Sequence, residues 1–255
     1  MASVGGGRFC DRRDVIAHLV TSHVPRPIEP PDDIGATVEQ ATDLLARYIA
    51  DGLPNRDELI DLCAQHLALV LKANRRLNLT SLTTPLDLAV KHVLDSLQAS
   101  KLLDDTDEIL DLGSGAGFPG VPLAALKKTT RFVLTESIGK KAAFLSSAVE
   151  ALGLRHVEVV ERRAEQLLQK RAIDTIVVRA VGPTAKLLKI LRPVRAQFRA
   201  VILYKGPNGQ QELREAQPLL AKMRLDGKIA AQYELPEGKG ERCLVRLSES
   251  QAPPT

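Results

Sequence analysis

From Glu108 onwards the chain alternates between short apolar or β-branched runs and longer stretches with helical character. Five of these runs are predicted strands, and each is followed by a helical segment: residues 108–112, 131–136, 156–160, 174–178 and 200–205. Strands that are joined through helices pair in parallel, because the crossover returns the chain to the same end of the sheet. The alternation therefore predicts an α/β fold with a doubly wound, mostly parallel sheet.

Two further strand-like runs, 228–235 and 241–247, are separated only by a short turn that contains Glu237-Gly238-Lys239-Gly240. So short a connection predicts an antiparallel hairpin. A parallel sheet that ends in an antiparallel pair is uncommon, and it resembles the Rossmann-like sheet of class I methyltransferases.

The rest of the chain divides by composition. Residues 1–36 are rich in Gly, Pro and charge and are predicted to be a disordered leader, with room for a short helix near 15–20. Apolar residues at helical spacing predict a helical cap over 37–104, including a helix from about Leu86 to Leu97. Residues 105–248 form the predicted cofactor-binding domain, and 249–255 a short tail.

Composition excludes several classes of protein. No run approaches 18 apolar residues, and Val15 to Val20 is too short and too acidic in its flanks for a secretory signal. The three cysteines, Cys10, Cys63 and Cys243, are widely spaced and contain no metal-binding pair, which fits a reducing compartment. We therefore expect a cytoplasmic protein without a membrane partner or a metal, and, in the absence of repeats or coiled coils, a monomer.

Charge is distributed unevenly along the chain. Residues 1–100 carry a net charge of −3 and residues 101–255 a net charge of +7. A basic C-terminal part indicates a polyanionic partner. Aromatic residues make up only 3% of the chain, which disfavours an extended base-stacking platform.

The most informative motif is Asp111-Leu-Gly113-Ser-Gly115-Ala-Gly117-Phe118-Pro119-Gly120, between the first strand and the following helix. Glycines there allow close approach of the backbone to a ligand. Gly115 to Gly120 also fits the dinucleotide pattern GxGxxG, so an NAD-dependent oxidoreductase stays an alternative. Asp111 could instead accept from the amino group of a nucleoside that carries an amino acid, and Pro119 need not direct helix amides at a pyrophosphate.

Two more acids follow the next strands. Glu136 closes the second strand, where a carboxylate can bind ribose hydroxyls. Ala164 and Glu165 follow the third strand, where a small residue and a carboxylate can contact an adenine edge. Together with Asp111, these residues lie at the strand ends where open α/β sheets bind ligands. S-adenosylmethionine fits this set.

Several segments in a fixed order resemble one family. They are NLTSLTTPLDLAVKHVLDSL (78–97), DLGSGAGFPGVPLA (111–124), ESIGKKAAFLSS (136–147), RAE (163–165), VRAV (178–181) and YKG (204–206). In combination, over about 56–247, the chain resembles the RsmG (GidB) family of small-subunit rRNA guanine-N7 methyltransferases. The family usually has a Trp before the NLT segment; here the chain has Lys72-Ala73-Asn74, which we expect to cost packing rather than chemistry.

The resemblance implies S-adenosylmethionine-dependent methylation of guanine N7 at nucleotide position 527 of 16S rRNA, with small-subunit rRNA or the 30S subunit as partner. It implies cofactor contacts at Gly113, Phe118, Ala164, Glu165 and Arg179; the glycine loop and strand ends add Asp111, Gly115, Gly117 and Glu136. It also implies that polar residues face the cofactor and RNA at Asn78, His92, Asp95, Lys140, Arg163 and Lys205.

The residue types agree with N7 chemistry. Guanine N7 has a free lone pair, so catalysis reduces to holding it in line with the methyl group. The chain has no Pro-Cys or Thr-Cys nucleophile, and no Asn/Asp-Pro-Pro-aromatic motif after the fourth strand. Arg179 and Lys205 end the fourth and fifth strands, and we assign them to substrate orientation and RNA binding. Alternatively, Arg179 forms a salt bridge to a strand-end acid, and His92 with Asp95 holds the cap on the sheet.

A basic stripe is predicted on the helix after the fourth strand, formed by Lys186, Lys189, Arg192, Arg195 and Arg199. It would contact RNA phosphates or be a solvated helix face. A non-catalytic RNA-binding module that retains a degenerate cofactor pocket is a further alternative.

Overall fold

The structure is a computed structural model that describes residues 31–103 and 106–250. Most of the predicted leader, with its possible helix near 15–20 and Cys10, lies outside the described residues, as does most of the predicted tail. None of the described helices is both long and apolar enough to cross a membrane.

The cap begins with two long helices. Helix α1 (Ile34–Tyr48) starts within the predicted leader, because the carboxylate of Asp33 accepts from the Ala36 amide and caps the first turn. The predicted leader boundary at residue 36 was therefore wrong. Helix α2 (Arg56–Leu77) ends where Asn78 adopts a left-handed conformation, with φ +47°.

The predicted helix from Leu86 to Leu97 is present but is not a regular α-helix. It consists of α3 (Pro85–Asp87), a π-helical segment, π1 (Leu88–Leu94), and α4 (Asp95–Leu97). The Thr84 hydroxyl accepts from the Asp87 amide at the start, and a 3₁₀ turn over Ser100–Leu103 leads to the sheet. The cap core includes Ala116 and Phe118, so it extends to the glycine loop.

The sheet confirms the predicted fold class. Its strands are β1 (Glu108–Leu112), β2 (Arg131–Glu136), β3 (Val157–Glu161), β4 (Ile173–Arg179), β5 (Phe198–Lys205), β6 (Leu225–Leu235) and β7 (Gly240–Glu249). They are arranged in the order β3-β2-β1-β4-β5-β7-β6, and only β7 pairs antiparallel to both of its neighbours. The chain order reverses between β1 and β4, and ligands of open α/β sheets bind at such a switch point.

The remaining helices connect the strands: α5 (Gly120–Leu126), α6 (Gly139–Ala151), α7 (Ala164–Leu168), α8 (Thr184–Leu191) and α9 (Gly209–Lys222). Apolar side chains from β4, β5, β7, α8 and α9 form one large core cluster. A second cluster packs Leu123 and Ala124 of α5 against β1 and β2. The two faces of the sheet are thus covered, and the carboxyl ends of the strands face the cap.

The predicted stripe of five cations does not form one helix face. Helix α8 ends at Leu191, and Pro193 lies in a 3₁₀ segment over Arg192–Gln197. Arg195 bends inwards and donates to the carbonyls of Met223 and Phe198, at 3.0 and 2.9 Å. Arg199 lies in β5 instead. The exposed cations that remain on this side are Lys186, Lys189 and Arg192.

Candidate active site

The glycine loop follows β1 and turns sharply before α5. Gly113, Gly115 and Gly117 all have positive φ, at +74°, +58° and +95°. A Cβ on Gly117 would lie 2.8 Å from Nε2 of His66 and 2.9 Å from Val121, so this position is restricted by contact as well as by torsion. The loop can therefore bring its backbone close to a ligand only with glycine here.

Asp111 lies beneath the loop and is almost completely buried. Its Oδ2 accepts from the Gly120 amide at 3.0 Å, which fixes the start of α5. Its Oδ1 is buried and has no hydrogen-bond partner among the described residues. Burial raises the pKa of Asp111 to about 6. The carboxylate thus supports the loop and has one oxygen left for a donor.

Glu136 and Ala164 follow the two strands next to β1. Glu136 is the last residue of β2, and its Oε1 accepts from the Ile138 amide at 2.8 Å. Ala164 is buried at the start of α7, beyond the end of β3, and Glu165 beside it is half-buried. Since β1, β2 and β3 are neighbours in the sheet, the three predicted acids lie near the carboxyl ends of successive strands: Asp111 in β1, Glu136 in β2, and Glu165 in α7, which follows β3.

Phe118 is the point at which the cap, the loop and the sheet meet. Its ring stacks on His92, with the centroids 4.4 Å apart and the planes at 5°, and it also contacts His66 at 4.7 Å. The guanidinium of Arg179 lies 5.4 Å from the ring centroid. Phe118 is thus buried among these groups rather than open to solvent.

Arg179 is engaged by the cap. Its Nη1 donates to the carbonyls of Lys91 and His92, at 2.9 and 3.3 Å, and lies 3.4 Å from Oδ2 of Asp95. The Arg179 side chain is only 14% exposed and that of Asp95 only 6%. Arg179 thus forms the salt bridge that the alternative predicted, but the predicted partner, a strand-end acid, was wrong: the acid is Asp95 of the cap helix α4.

Two tyrosines join the same helical segment to the sheet. Tyr233 of β6 donates to Oδ1 of Asp95 at 2.8 Å, and Tyr204 of β5 donates to the Ser96 carbonyl at 2.5 Å. Three strands, β4, β5 and β6, therefore contact α4 through polar side chains. This fixes the cap over the switch point.

His92 is a buried, neutral side chain. Arg179 can only donate, so Nδ1 of His92 accepts from it at 3.4 Å and Nε2 bonds to Thr80 Oγ1 at 2.8 Å. Burial, and then the charge of Arg179, lowers the pKa of His92 to about 3. His92 is therefore unprotonated at neutral pH.

Lys205, the second predicted strand-end cation, is also paired. Its Nζ donates to Glu212 Oε2 and to the Gly182 carbonyl, both at 2.8 Å. Glu212 Oε2 also accepts from the Thr184 amide at 2.8 Å. Burial alone would raise the pKa of Glu212, but the hydrogen bonds from Lys205 and Thr184 lower it overall. Lys205 thus joins β5 to α9 and to the loop before α8.

The other predicted RNA-facing residues are exposed but do not lie together. They are Asn78 after α2, Lys140 in the first turn of α6, Arg163 before α7, and Lys186, Lys189 and Arg192 beyond β4. They come from several elements, and Arg192, which follows the last residue of α8, lies towards the amino ends of the strands rather than at the strand-end edge.

Two residues at the site were missed in the sequence. His66 donates from Nε2 to the Ala116 carbonyl at 2.9 Å, and burial lowers its pKa to about 4. Asn74 accepts from the amides of Leu79 and Thr80, at 2.7 and 3.0 Å, and so fixes the loop before α3. Both are polar residues on the apolar face of α2, which was the available signal.

Comparison with known proteins decides the family. The model described as rRNA small subunit methyltransferase G matches residues 60–239. The chain belongs to this family. A Solibacter usitatus protein named Ribosomal RNA small subunit methyltransferase G is 38% identical over 203 residues, which are 80% of this chain and 97% of that protein. One of the same name from Carboxydothermus hydrogenoformans is 34% identical over 208 residues, 80% of this chain and 88% of the relative.

This family assignment confirms the resemblance to the RsmG (GidB) family that the sequence motifs indicated. The protein is a small-subunit rRNA methyltransferase that uses S-adenosylmethionine, and not the alternative NAD-dependent oxidoreductase. Among solved structures, the YcgJ protein from Bacillus subtilis has a TM-score of 0.51 at 13% identity, over 63% of this chain and all of that one. That likeness shows the fold alone.

The residues present fit this cofactor. The left-handed glycines bring the backbone to the end of β1, Asp111 has an unpartnered buried oxygen, and Glu136 ends the adjacent strand. No group of three or more His, Cys, Asp or Glu suited to a metal ion occurs within residues 31–103 and 106–250.

Proposed function

We propose that this chain methylates N7 of a guanine in 16S rRNA, at the edge formed by the ends of β1, β2 and β3. One observation carries the choice of atom: the two histidines that contact Phe118 are buried and only weakly basic, so neither is suited to take a proton from the substrate. His66 and His92 are buried with lowered pKa values, and Arg179 is hydrogen-bonded to the cap. Since no proton leaves N7 during methylation, a site built for positioning suffices.

In this proposal, the side chains at the end of each strand bind a different part of S-adenosylmethionine. Bound S-adenosylmethionine supplies an electrophilic methyl group on a sulfonium centre. Glu136 would hold the ribose hydroxyls, and Ala164 with Glu165 the adenine edge. Asp111 supports the glycine loop through Gly120 and offers Oδ1 to a donor. The glycine loop would leave room for the amino-acid part of S-adenosylmethionine, because Gly113, Gly115 and Gly117 have no side chains.

Arg179, His92 and Asp95 act in this proposal as positioning residues. Their hydrogen bonds run between cap and sheet, and Phe118 packs against two of them. They would keep the glycine loop in the conformation that binds the cofactor. Lys205 would do the same for the loop after β4, through its contact with Gly182.

The substrate in this proposal is small-subunit rRNA, free or within the 30S subunit. The exposed Lys140, Arg163, Lys186, Lys189 and Arg192 would contact its phosphates, and the target guanine would leave its stack to reach the cofactor. Asn78, exposed at the end of α2, would lie near the base. We propose that the enzyme works as a monomer in the cytoplasm.

Methyl transfer tests this function. Purified protein, S-adenosylmethionine with a labelled methyl group, and 30S subunits that lack the modification should give one labelled guanine in 16S rRNA. Borohydride and aniline treatment cleaves at 7-methylguanosine and locates it. A label on another atom, on several bases or on no RNA would contradict the proposal.

A further inference from the structure

A groove lies beside the cofactor edge, between α2 and α6, and has a volume of about 680 Å³. Its floor is apolar and includes Leu69, Ala73, Leu77 and Phe144, with Ile34 of α1 at one side. The volume lies within the range of about 300–1,000 Å³ that is typical of small-ligand sites. The Phe144 ring is half-buried, so part of it faces the groove.

Four cations surround this floor: Lys72, Arg75 and Arg76 on α2, and Lys140 on α6. All four are exposed, and none has an ion pair or hydrogen bond to another side chain in the part of the chain that the structure describes. No acidic residue is among the described residues that line the groove. The charge therefore favours an anionic occupant, and the apolar floor favours one with a flat apolar face.

We propose that this groove, which nothing in the family assignment identifies, binds an unpaired nucleotide of the rRNA next to the target guanine. The inference rests on the proposed rRNA substrate. An unstacked base would lie on Phe144 and the aliphatic floor, while the adjoining phosphates contact Lys72, Arg75, Arg76 and Lys140. Proteins read single-stranded RNA through this combination of stacking and phosphate contacts.

The position of α6 connects the groove to the reaction. Lys140 lies in the first turn of that helix, which begins at Gly139, three residues after Glu136 ends β2. A nucleotide in the groove would therefore lie beside the cofactor edge and not on it. It would fix the orientation of the flanking RNA.

Ala73→Trp tests the proposal by filling the groove with an indole. The control is Ala151→Trp, which adds the same ring at an exposed position on α6 that does not line the groove. We expect Ala73→Trp to raise KM for 30S subunits about tenfold, with kcat and S-adenosylmethionine affinity unchanged, whereas Ala151→Trp leaves all three unchanged.

A charge variant keeps the proposal testable if the tryptophan disturbs folding. Arg75→Gln with Arg76→Gln removes two cations from the last turn of α2, and Lys222→Gln removes one from the last turn of α9, outside the groove lining, as a control. The double variant should reduce the slope of log Kd for rRNA against log salt concentration by about 1 to 2. Lys222→Gln should leave the slope unchanged.

The outcomes separate this proposal from the proposed function. If the wild type methylates N7 and both groove variants keep full RNA affinity, the proposed nucleotide binding in the groove is wrong and the proposed function stands. If Ala73→Trp instead accelerates proteolysis within residues 1–30 and leaves RNA affinity unchanged, the groove binds that segment of the chain and the proposal is wrong. If the wild-type protein does not methylate N7, the proposed function itself is wrong.

Discussion

Nη1 of Arg179, at the end of β4, lies 3.4 Å from Oδ2 of Asp95 in the cap, and both side chains are nearly buried. The same Asp95 accepts from Tyr233 of β6, and Arg179 also donates to two cap carbonyls. The pair thus connects the helical cap to the sheet at the switch point. In the proposed function, the pair positions the groups around Phe118.

Arg179→Ala should destabilise the fold strongly, because it leaves the Asp95 carboxylate buried without its counter-ion. We expect a loss of about 3 kcal/mol in the free energy of unfolding, measured in urea. Arg199→Ala is the control, since Arg199 is 85% exposed and its ion pair with Asp174 spans 3.7 Å; it should change stability by about 0.5 kcal/mol or less. Unchanged stability of Arg179→Ala, together with lost methyl transfer, would indicate direct substrate contact instead.

Gly117→Ala should disturb the cofactor loop. Its Cβ would combine a φ of +95° with close contacts to His66 and Val121, so we expect a cost of about 2–4 kcal/mol in stability. S-adenosylmethionine should bind about tenfold more weakly, equivalent to about 1.4 kcal/mol. Gly153→Ala has a φ of +65° with open space around it, and should cost only about 1 kcal/mol without affecting binding. Equal effects of the two substitutions would contradict the close packing of Gly117.

The buried histidines should make stability fall with acid. Burial lowers the pKa of His66 to about 4 and of His92 to about 3. Between these values and the unfolded pKa, the two side chains are therefore protonated in the unfolded chain but not in the folded chain. Stability is therefore full above the unfolded pKa of about 6.5 and decreases as pH falls below it, by about 2 kcal/mol per histidine at pH 5. Asp111 has the opposite effect, because its pKa is raised to about 6 and the folded chain binds the proton more tightly than the unfolded chain. At pH 5 it adds about 1 kcal/mol to the free energy of unfolding.

Urea unfolding at pH 7.5 and pH 5 measures this difference. His66→Gln should remove roughly half of the histidine contribution to it. An identical pH dependence in wild type and variant would mean that the pKa of His66 is the same in the folded and the unfolded chain, which would contradict the lowered value.

Lys205 and Glu212 should behave as a unit. If Lys205 acts by holding the loop after β4, Lys205→Met and Glu212→Gln should lower the single-turnover rate by similar factors, with KM for rRNA nearly unchanged. If Lys205 contacts RNA, only its own substitution should raise KM. Single-turnover assays over a range of 30S concentrations distinguish these results.

The sequence predicted the strands and the glycine loop because their signals are local. Apolar runs such as 131–136 are bounded by turns, and the loop motif has its own spacing. The helix after β4 was predicted too long because the break at Pro193 was not taken into account. Its five cations seemed to form one face only under that assumption.

Side-chain partners were beyond the reach of local patterns. That Arg179 ends a strand was clear, but its acceptors come from the cap and depend on how the cap packs on the sheet. His66 looked like one polar residue within an apolar helix, and only the tertiary structure brings it to the Ala116 carbonyl. The proximity of the acids at the ends of β1 and β2 was easier to predict, because parallel strands end at a common edge.

A calorimetric titration tests the central claim most directly, namely that the strand-end edge of β1, β2 and β3 binds S-adenosylmethionine. The wild-type protein should bind S-adenosylmethionine at one site per chain and give no heat with NAD. Glu136→Ala should lose most of the affinity, while Glu150→Ala, an exposed acid on α6, should retain it. Clean binding of NAD without heat from S-adenosylmethionine, or full affinity in Glu136→Ala, would contradict the account.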